Sequence, residues 1–256
     1  MIFCFSACGN TALAASLIRK RLTDSVVRIT SNTPDVFDVS VHKRIIWTFP
    51  IYSWGLPRQV ADFISTIELT GAENIPHFMV ATCGDDAGLA HLIWKKLIRR
   101  RGWHPASAHT VIMPNTYVSL PGFDVDSPVV TARKLAKAPA RIDTIAHAIK
   151  CGSTIDDVVK GKAAWIKTRI IYPLFMKFMT SPRPFKASST CNGCGLCSRT
   201  CPAANIDIVN MRPRWNNRCT MCLSCYHHCP RKAISYGNAT KNKGRYIAPE
   251  SFADQP

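Results

Sequence analysis

Hydrophobic and polar positions change their period several times along this chain of 256 residues. In the first 120 or so, short apolar or β-branched runs stand apart: Ile2–Phe5, Val26–Thr30, Ile45–Phe49, His77–Thr82 and His109–Met113. Such runs read as buried parallel strands. Helical spacing appears between several of them, at Thr11–Arg21, Arg58–Leu69 and Leu89–Arg101, the last closing on Arg99, Arg100, Arg101 and Gly102. Basic residues followed by glycine suit a helix C-terminus. Five strands alternating with helices predict an α/β doubly wound parallel sheet. The stretch between the second and third strands carries little helical signal of its own. Two further helical patterns follow, Val129–Ile149 and Ile155–Met179, and Ser181-Pro182-Arg183-Pro184 reads as a linker. The expected organisation is a sheet domain over 1–123, a helical connector over 124–184, a small α+β cysteine-rich domain over 185–240 and a tail over 241–256.

Cysteine placement changes the picture most. Of twelve cysteines, eight crowd between Cys191 and Cys229, while Cys4, Cys8, Cys83 and Cys151 are scattered. A secreted disulfide scaffold is short and cysteine-dense throughout, so the pattern favours metal binding in a reducing compartment. The spacing is Cys191-x2-Cys194-x2-Cys197-x3-Cys201-Pro202, and it recurs as Cys219-x2-Cys222-x2-Cys225-x3-Cys229-Pro230. The offset of 28 residues also relates Ile206 to Ile234, which marks an internal duplication. Three closely spaced thiolates reach three irons of one cubane, and the fourth, before proline, ligates the other cluster. Cys191, Cys194, Cys197 and Cys229 would hold one [4Fe–4S] cluster, and Cys219, Cys222, Cys225 and Cys201 the second. Structural zinc sites use two separated knuckles and fit less well. His227 and His228 lie between cluster cysteines and read as surface residues rather than ligands. Residues 185–240 resemble the bacterial-type two-cluster ferredoxin.

The loop after the first strand reads Ser6-Ala7-Cys8-Gly9-Asn10-Thr11. A small, hydroxyl-bearing, glycine-containing turn at a helix N-terminus suits a terminal phosphate. No Gly-Lys-Ser/Thr follows it, which excludes a nucleotide P-loop, and no G-x-G-x-x-G fingerprint of a nicotinamide cofactor is present. At Ser6, Gly9, Asn10 and Thr11 the loop resembles the phosphate loop of flavodoxins, with Cys8 where that family carries threonine. The resemblance implies FMN, with two further contact loops after the third and fourth strands. These are Pro50-Ile51-Tyr52-Ser53-Trp54-Gly55 and Thr82-Cys83-Gly84-Asp85-Asp86-Ala87-Gly88, with Tyr52 or Trp54 expected to stack on the flavin ring. Outside residues 124–185 the chain resembles the flavodoxin–ferredoxin fusion proteins of anaerobic microbes. That likeness implies an electron-transfer protein coupling a two-electron flavin to one-electron clusters.

Charge then bounds the partners. The formal net charge is +17. Two clusters and a flavin phosphate at roughly −2 each would leave about +11. A basic surface predicts docking on an acidic redox partner protein, and no nucleic-acid recognition motif accompanies it. The aromatic and basic residues at 163–179 also suit contact with a membrane surface, although no apolar run is long enough to span a bilayer. The apolar N-terminus lacks a basic leader region, so a cytoplasmic location is expected.

Overall fold

The computed structural model describes residues 1–249. Chain order runs β1 (Ile2–Cys4), α1 (Asn10–Leu22), β2 (Val26–Arg28), β3 (Val36–Asp38), β4 (Ile45–Pro50), α2 (Arg58–Thr66), β5 (Glu68–Thr70), β6 (Pro76–Cys83), α3 (Ala90–Arg100), β7 (His104–Ile112) and α4 (Pro128–Lys150). The central sheet has the order β2-β1-β4-β6-β7, all parallel. Counted along its own five strands this is 2-1-3-4-5, the doubly wound order of flavodoxin-like folds, whose ligands bind beyond the carboxyl ends of the strands. One face packs on α1 and α4, with Ala14, Ile18, Ile142, Ile145 and Ile149 in a common core. The other packs on α2 and α3 and is dense in aromatics. There Phe3 stacks on Trp47 at 4.8 Å, and Trp47, His77 and Trp103 form a mutually stacked trio, His77 accepting the Trp47 indole N–H at 3.0 Å.

Several elements depart from the sequence pattern for identifiable reasons. The helix expected to reach Leu69 ends at Thr66, because Ile67 turns extended and Glu68–Thr70 pairs in parallel with β3. β3 lies in the stretch where helical signal was weak. The last strand starts at His104, five residues before the apolar run suggests. Its first half, His104-Pro105-Ala106-Ser107-Ala108, is small and partly polar yet largely buried. α4, whose pattern suggests a connector, belongs to the sheet domain's core. Ser127 caps it by accepting from the Val130 N–H, with Pro128 in the first turn.

The true connector begins after α4. Asp157 runs beside β7, its N–H donating to Ala108 O at 2.8 Å and its carbonyl accepting from Thr110 N at 3.2 Å. Helix appears only from Ala164: α5 (Ala164–Ile166), a π-helical turn (Lys167–Ile171) and α6 (Tyr172–Phe178) follow one another without a break.

The C-terminal module contains β8 (Phe185–Ala187), α7 (Leu196–Arg199), β9 (Ile206–Val209), β10 (Arg212–Trp215), α8 (Ser224–His227) and β11 (Ile234–Tyr236). The duplication is visible in three dimensions. α7 and α8 are related by the same 28 residues as the cysteines, and each is preceded by a left-handed residue, Gly195 or Leu223. Each fourth cysteine accepts a backbone N–H from four residues on, Asn205 to Cys201 Sγ and Ala233 to Cys229 Sγ, both at 3.3 Å. The module docks on the sheet domain through Pro202, whose carbonyl accepts from Ser31 N and from the Gln59 side chain.

Candidate functional site

A cleft opens at the carboxyl edge of the sheet, where β1, β4, β6 and β7 end. Its lining includes Ser6, Ala7, Cys8, Asn10 and Thr11 after β1; Pro50, Ile51, Tyr52 and Ser53 after β4; and Thr82, Cys83 and Gly84 after β6. About 730 Å³ of empty space lies within it, counted out to its open mouth.

At the head of α1, Ser6 Oγ accepts the Ala12 N–H at 3.2 Å and Thr11 Oγ1 meets Thr82 Oγ1 at 2.7 Å. Among the described residues, no acceptor meets the N–H groups of Cys8, Gly9, Asn10 and Thr11. Free amides at the positive end of a helix are what a phosphate would complete. The Tyr52 hydroxyl is buried without a partner among the described residues, and burial first, then the nearby Cys222, Cys8 and Cys219, push its pKa well up. These orphaned groups and the flanking hydroxyls fit a flavin phosphate nucleotide. Cys8 donates weakly to Cys222 O at 3.9 Å, and burial holds its thiol well above the ordinary range. Cys83, pushed up to about 12 chiefly by burial, is likewise a neutral thiol in the wall.

Two walls of the cleft were not visible in the sequence pattern. One is Met113-Pro114-Asn115-Thr116-Tyr117 after β7. It is held there by Asn115, whose backbone and side chain donate to Asp126 at 3.0 and 3.1 Å, with Lys134 on the same carboxylate at 2.7 Å. Gly84 is required for this, since a Cβ there would meet Asn115 Oδ1 at 1.6 Å. The fold's own rule, that ligands sit beyond every carboxyl strand end, points to this loop. The other wall is Met221-Cys222-Leu223 from the cysteine-rich module, together with Phe175. No local sequence signal marks it.

Five of the expected contact residues, Gly9, Trp54, Gly55, Asp85 and Gly88, are not part of the cleft lining. Tyr52-Ser53-Trp54-Gly55 closes as a tight turn with two reciprocal 3.0 Å bonds and positive φ at Ser53 and Trp54. The turn sends Tyr52 into the cleft and Trp54 away, to lie under Lys167 Nζ at 4.9 Å. Of the two aromatic candidates, Tyr52 lines the cleft and Trp54 does not. Gly55 instead accommodates the Tyr172 ring, and Gly88 lies against Trp54 and Thr168. Asp85 is exposed and faces Lys134 at 3.8 Å. Gly9, at φ +93°, accommodates the tail, because its Cβ would lie 2.9 Å from that of Ala248, whose N–H donates to Cys8 O. Tyr246 of the same tail donates to Asn10 Oδ1 at 2.9 Å.

The eight clustered cysteines divide between two cavities. Cys191, Cys194, Cys197 and Cys229 line one, with Gly193, Gly195 and Pro230. Cys201, Cys219, Cys222 and Cys225 line the other, with Phe185, Ile206 and Trp215. This is the crossed grouping that the spacing implies. Among the described residues no three His, Cys, Asp or Glu side chains converge on a point that would hold one ion. The thiols surround a space instead. Burial pushes Cys222 up to about 12 and Cys225 well above the usual thiol range. Ionising such sulfurs requires cations between them, which iron supplies. His227 is not a surface residue. It is buried, accepts from Tyr246 N at Nδ1 and, with Nε2 then protonated, donates to Thr116 O at 2.8 Å. Burial lowers its pKa to about 4, so it joins module, tail and sheet domain as a neutral ring.

Residues 183–230 match the family described as a 4Fe-4S dicluster domain. Over 63 residues, 24% of its length, the chain is 40% identical to an uncharacterized polyferredoxin-like protein of Methanocaldococcus jannaschii, of which it spans 28%. Among solved structures it is similar to a flavodoxin of Streptococcus pneumonia TIGR4, at 16% identity and TM-score 0.38. That alignment covers 59% of this chain and 96% of the flavodoxin. It is also similar to rubredoxin oxygen:oxidoreductase of the anaerobe Desulfovibrio gigas, at 14% identity and TM-score 0.35, over 59% of this chain and 36% of that one. The C-terminal module is thus an iron–sulfur domain of the dicluster type, and electron transfer is its general chemistry. No described helix is long and apolar enough to cross a membrane.

Proposed function

We propose that this chain passes electrons between an FMN held in the cleft and two [4Fe–4S] clusters held by the eight cysteines, in exchange with an acidic redox protein. The observation that carries the reading is the shared wall: Cys222 lines both the cleft and the cavity of the second cysteine set. A group bound in either place is therefore one loop away from the other. Bound flavin supplies two-electron chemistry and each cluster one-electron chemistry. The protein's part is positioning. The head of α1 offers its free amides and Thr11 to a phosphate, and Tyr52 offers a ring and a buried hydroxyl. Phe175, Met221 and Leu223 supply an apolar surround. His227 and the tail fix the module against the cleft. Arg183, Lys186, Arg212 and Arg214 line an open groove beside Trp215, which suits an acidic partner surface. Replacing Asn10 and Thr11 with leucine and valine tests the reading. Flavin should be lost while iron and sulfide stay unchanged, and stoichiometric FMN in that variant would sink the site.

A further inference from the structure

The long helix of the connector presents two faces of different chemistry. Its inner face is fixed by specific contacts. Thr168 Oγ1 donates to Trp54 O and accepts from Leu89 N, Tyr172 OH donates to Leu56 O at 2.8 Å, Lys167 pairs with Asp86 at 2.6 Å, and Phe175 enters the core of the iron–sulfur module. With the inner face so tied, the outer face cannot roll inward. It carries Ile166, Ile170, Leu174 and Phe178 at intervals of four, with Trp165 beside the first, each between 45% and 64% exposed. Ile171 and Pro173 are exposed as well, and the remaining exposed positions from Trp165 to Phe178 are Arg169 and Lys177.

The outer face is therefore composed of apolar and cationic side chains alone. Acidic residues are missing from the sequence between Asp157 and Asp207, a span with eight lysines and arginines. We propose that this face lies on an anionic lipid bilayer, with the helix axis in the plane of the headgroups. A ridge about 20 Å long, by 1.5 Å per residue, suits that position, its aliphatic and Trp side chains entering the acyl boundary and its cations remaining among the headgroups. A protein partner is recognised by hydrogen-bond donors and acceptors that fix register. This ridge offers hydrocarbon and cationic or N–H donors but no exposed acceptor side chain, a chemistry that an anionic membrane surface satisfies without register.

The test is flotation of the intact, cluster-loaded protein with phosphatidylcholine vesicles, with and without about 30% phosphatidylglycerol. Binding is expected to the anionic vesicles, to weaken as salt rises, and to be much lower on the neutral ones. Ile170→Glu and Leu174→Glu each place a charge where the alkyl chain would be buried, and each should weaken partitioning at least about tenfold. Both positions face solvent, so unchanged cluster absorbance verifies the fold of each variant. Three results would overturn the proposal: no binding to anionic vesicles at low salt, equal binding to both compositions, or binding unaffected by the two substitutions. A concentration-dependent dimer that Leu174→Glu dissolves, without vesicle binding, would assign the ridge to a second copy and overturn it too.

Discussion

Replacing Thr168 with valine asks what holds the connector helix to the loops beneath it. Thr168 is 2% exposed, and its hydroxyl donates to Trp54 O at 3.0 Å while accepting from Leu89 N at 2.8 Å. Leu89 is the capping residue of α3, so this hydroxyl serves a donor that the helix itself cannot satisfy. Valine keeps the shape but neither donates nor accepts. A part-buried carbonyl and a part-buried N–H would each lose a partner, at about 1–2 kcal/mol apiece, the lower part of the range for buried groups, or about 2–4 kcal/mol together. That loss falls on the local opening that frees the loops after β4 and β6. In the regime where exchange reads the opening equilibrium, the Leu89 amide should exchange about 30- to 700-fold faster. Thr168→Ser keeps the hydroxyl and should stay within about fourfold of the parent, since it removes one buried methyl group at about 0.8 kcal/mol. Hydrogen exchange followed by mass spectrometry on peptides covering 84–92 and 164–172 makes the measurement. An unchanged Leu89 rate in Thr168→Val would refute the reasoning.

Crossed ligation predicts a pattern in paired substitutions. Cys201→Ser with Cys222→Ser should retain about half of the iron, because both thiols serve one cluster, whereas Cys201→Ser with Cys191→Ser should lose nearly all of it; the reverse pattern would show that each motif holds its own cluster. His77 is fully buried, and burial lowers its pKa to about 3. The unfolded chain takes up that proton near pH 6.5 and the folded one does not, so stability is complete above pH 6.5 and falls on acidification. The loss is about 2 kcal/mol between pH 6.5 and 5. Urea unfolding followed by tryptophan fluorescence at the two pH values should show His77→Gln removing that share of the difference, and an unchanged difference would contradict it. Gly9→Ala places a Cβ 2.9 Å from that of Ala248 at a left-handed position. The strain of about 1–2 kcal/mol should speed tryptic cleavage after Arg245 about 5- to 30-fold, and a parent-like rate would show that the tail does not rest on this glycine.

What was legible in the sequence follows from how each element is stabilised. β4 and β6 are buried on both faces and advertise it as continuous apolar runs. β7 is buried as well, but through small and polar residues whose partners are distant. Ser107 meets His109 at 3.0 Å, the Thr110 carbonyl accepts from Arg141, and its hydroxyl accepts from Val159 N. The apolar run His109–Met113 reveals its second half, whereas no local period reveals the first. α4 was legible as a helix but not as part of the sheet domain, because its apolar face identifies no partner. The two sets of four cysteines that line the two cavities follow the repeated spacing, three from one short loop and the fourth from the other motif. That the loop after β1 and Tyr52 line the cleft was readable from strand ends, whereas the direction of Trp54 depends on two positive φ angles without a glycine between them. The wall formed by Met221, Cys222 and Leu223 is purely tertiary, arising from the docking of one domain on the other.

The most direct test of the shared-wall account is to denature anaerobically purified protein and identify by chromatography what it releases, with iron and sulfide measured on the same sample. The account predicts FMN at about one per chain beside about eight iron and eight sulfide. Protein with intact clusters that releases no flavin and takes up none when FMN is added would contradict it, and would leave the doubly wound domain as a scaffold for an iron–sulfur carrier.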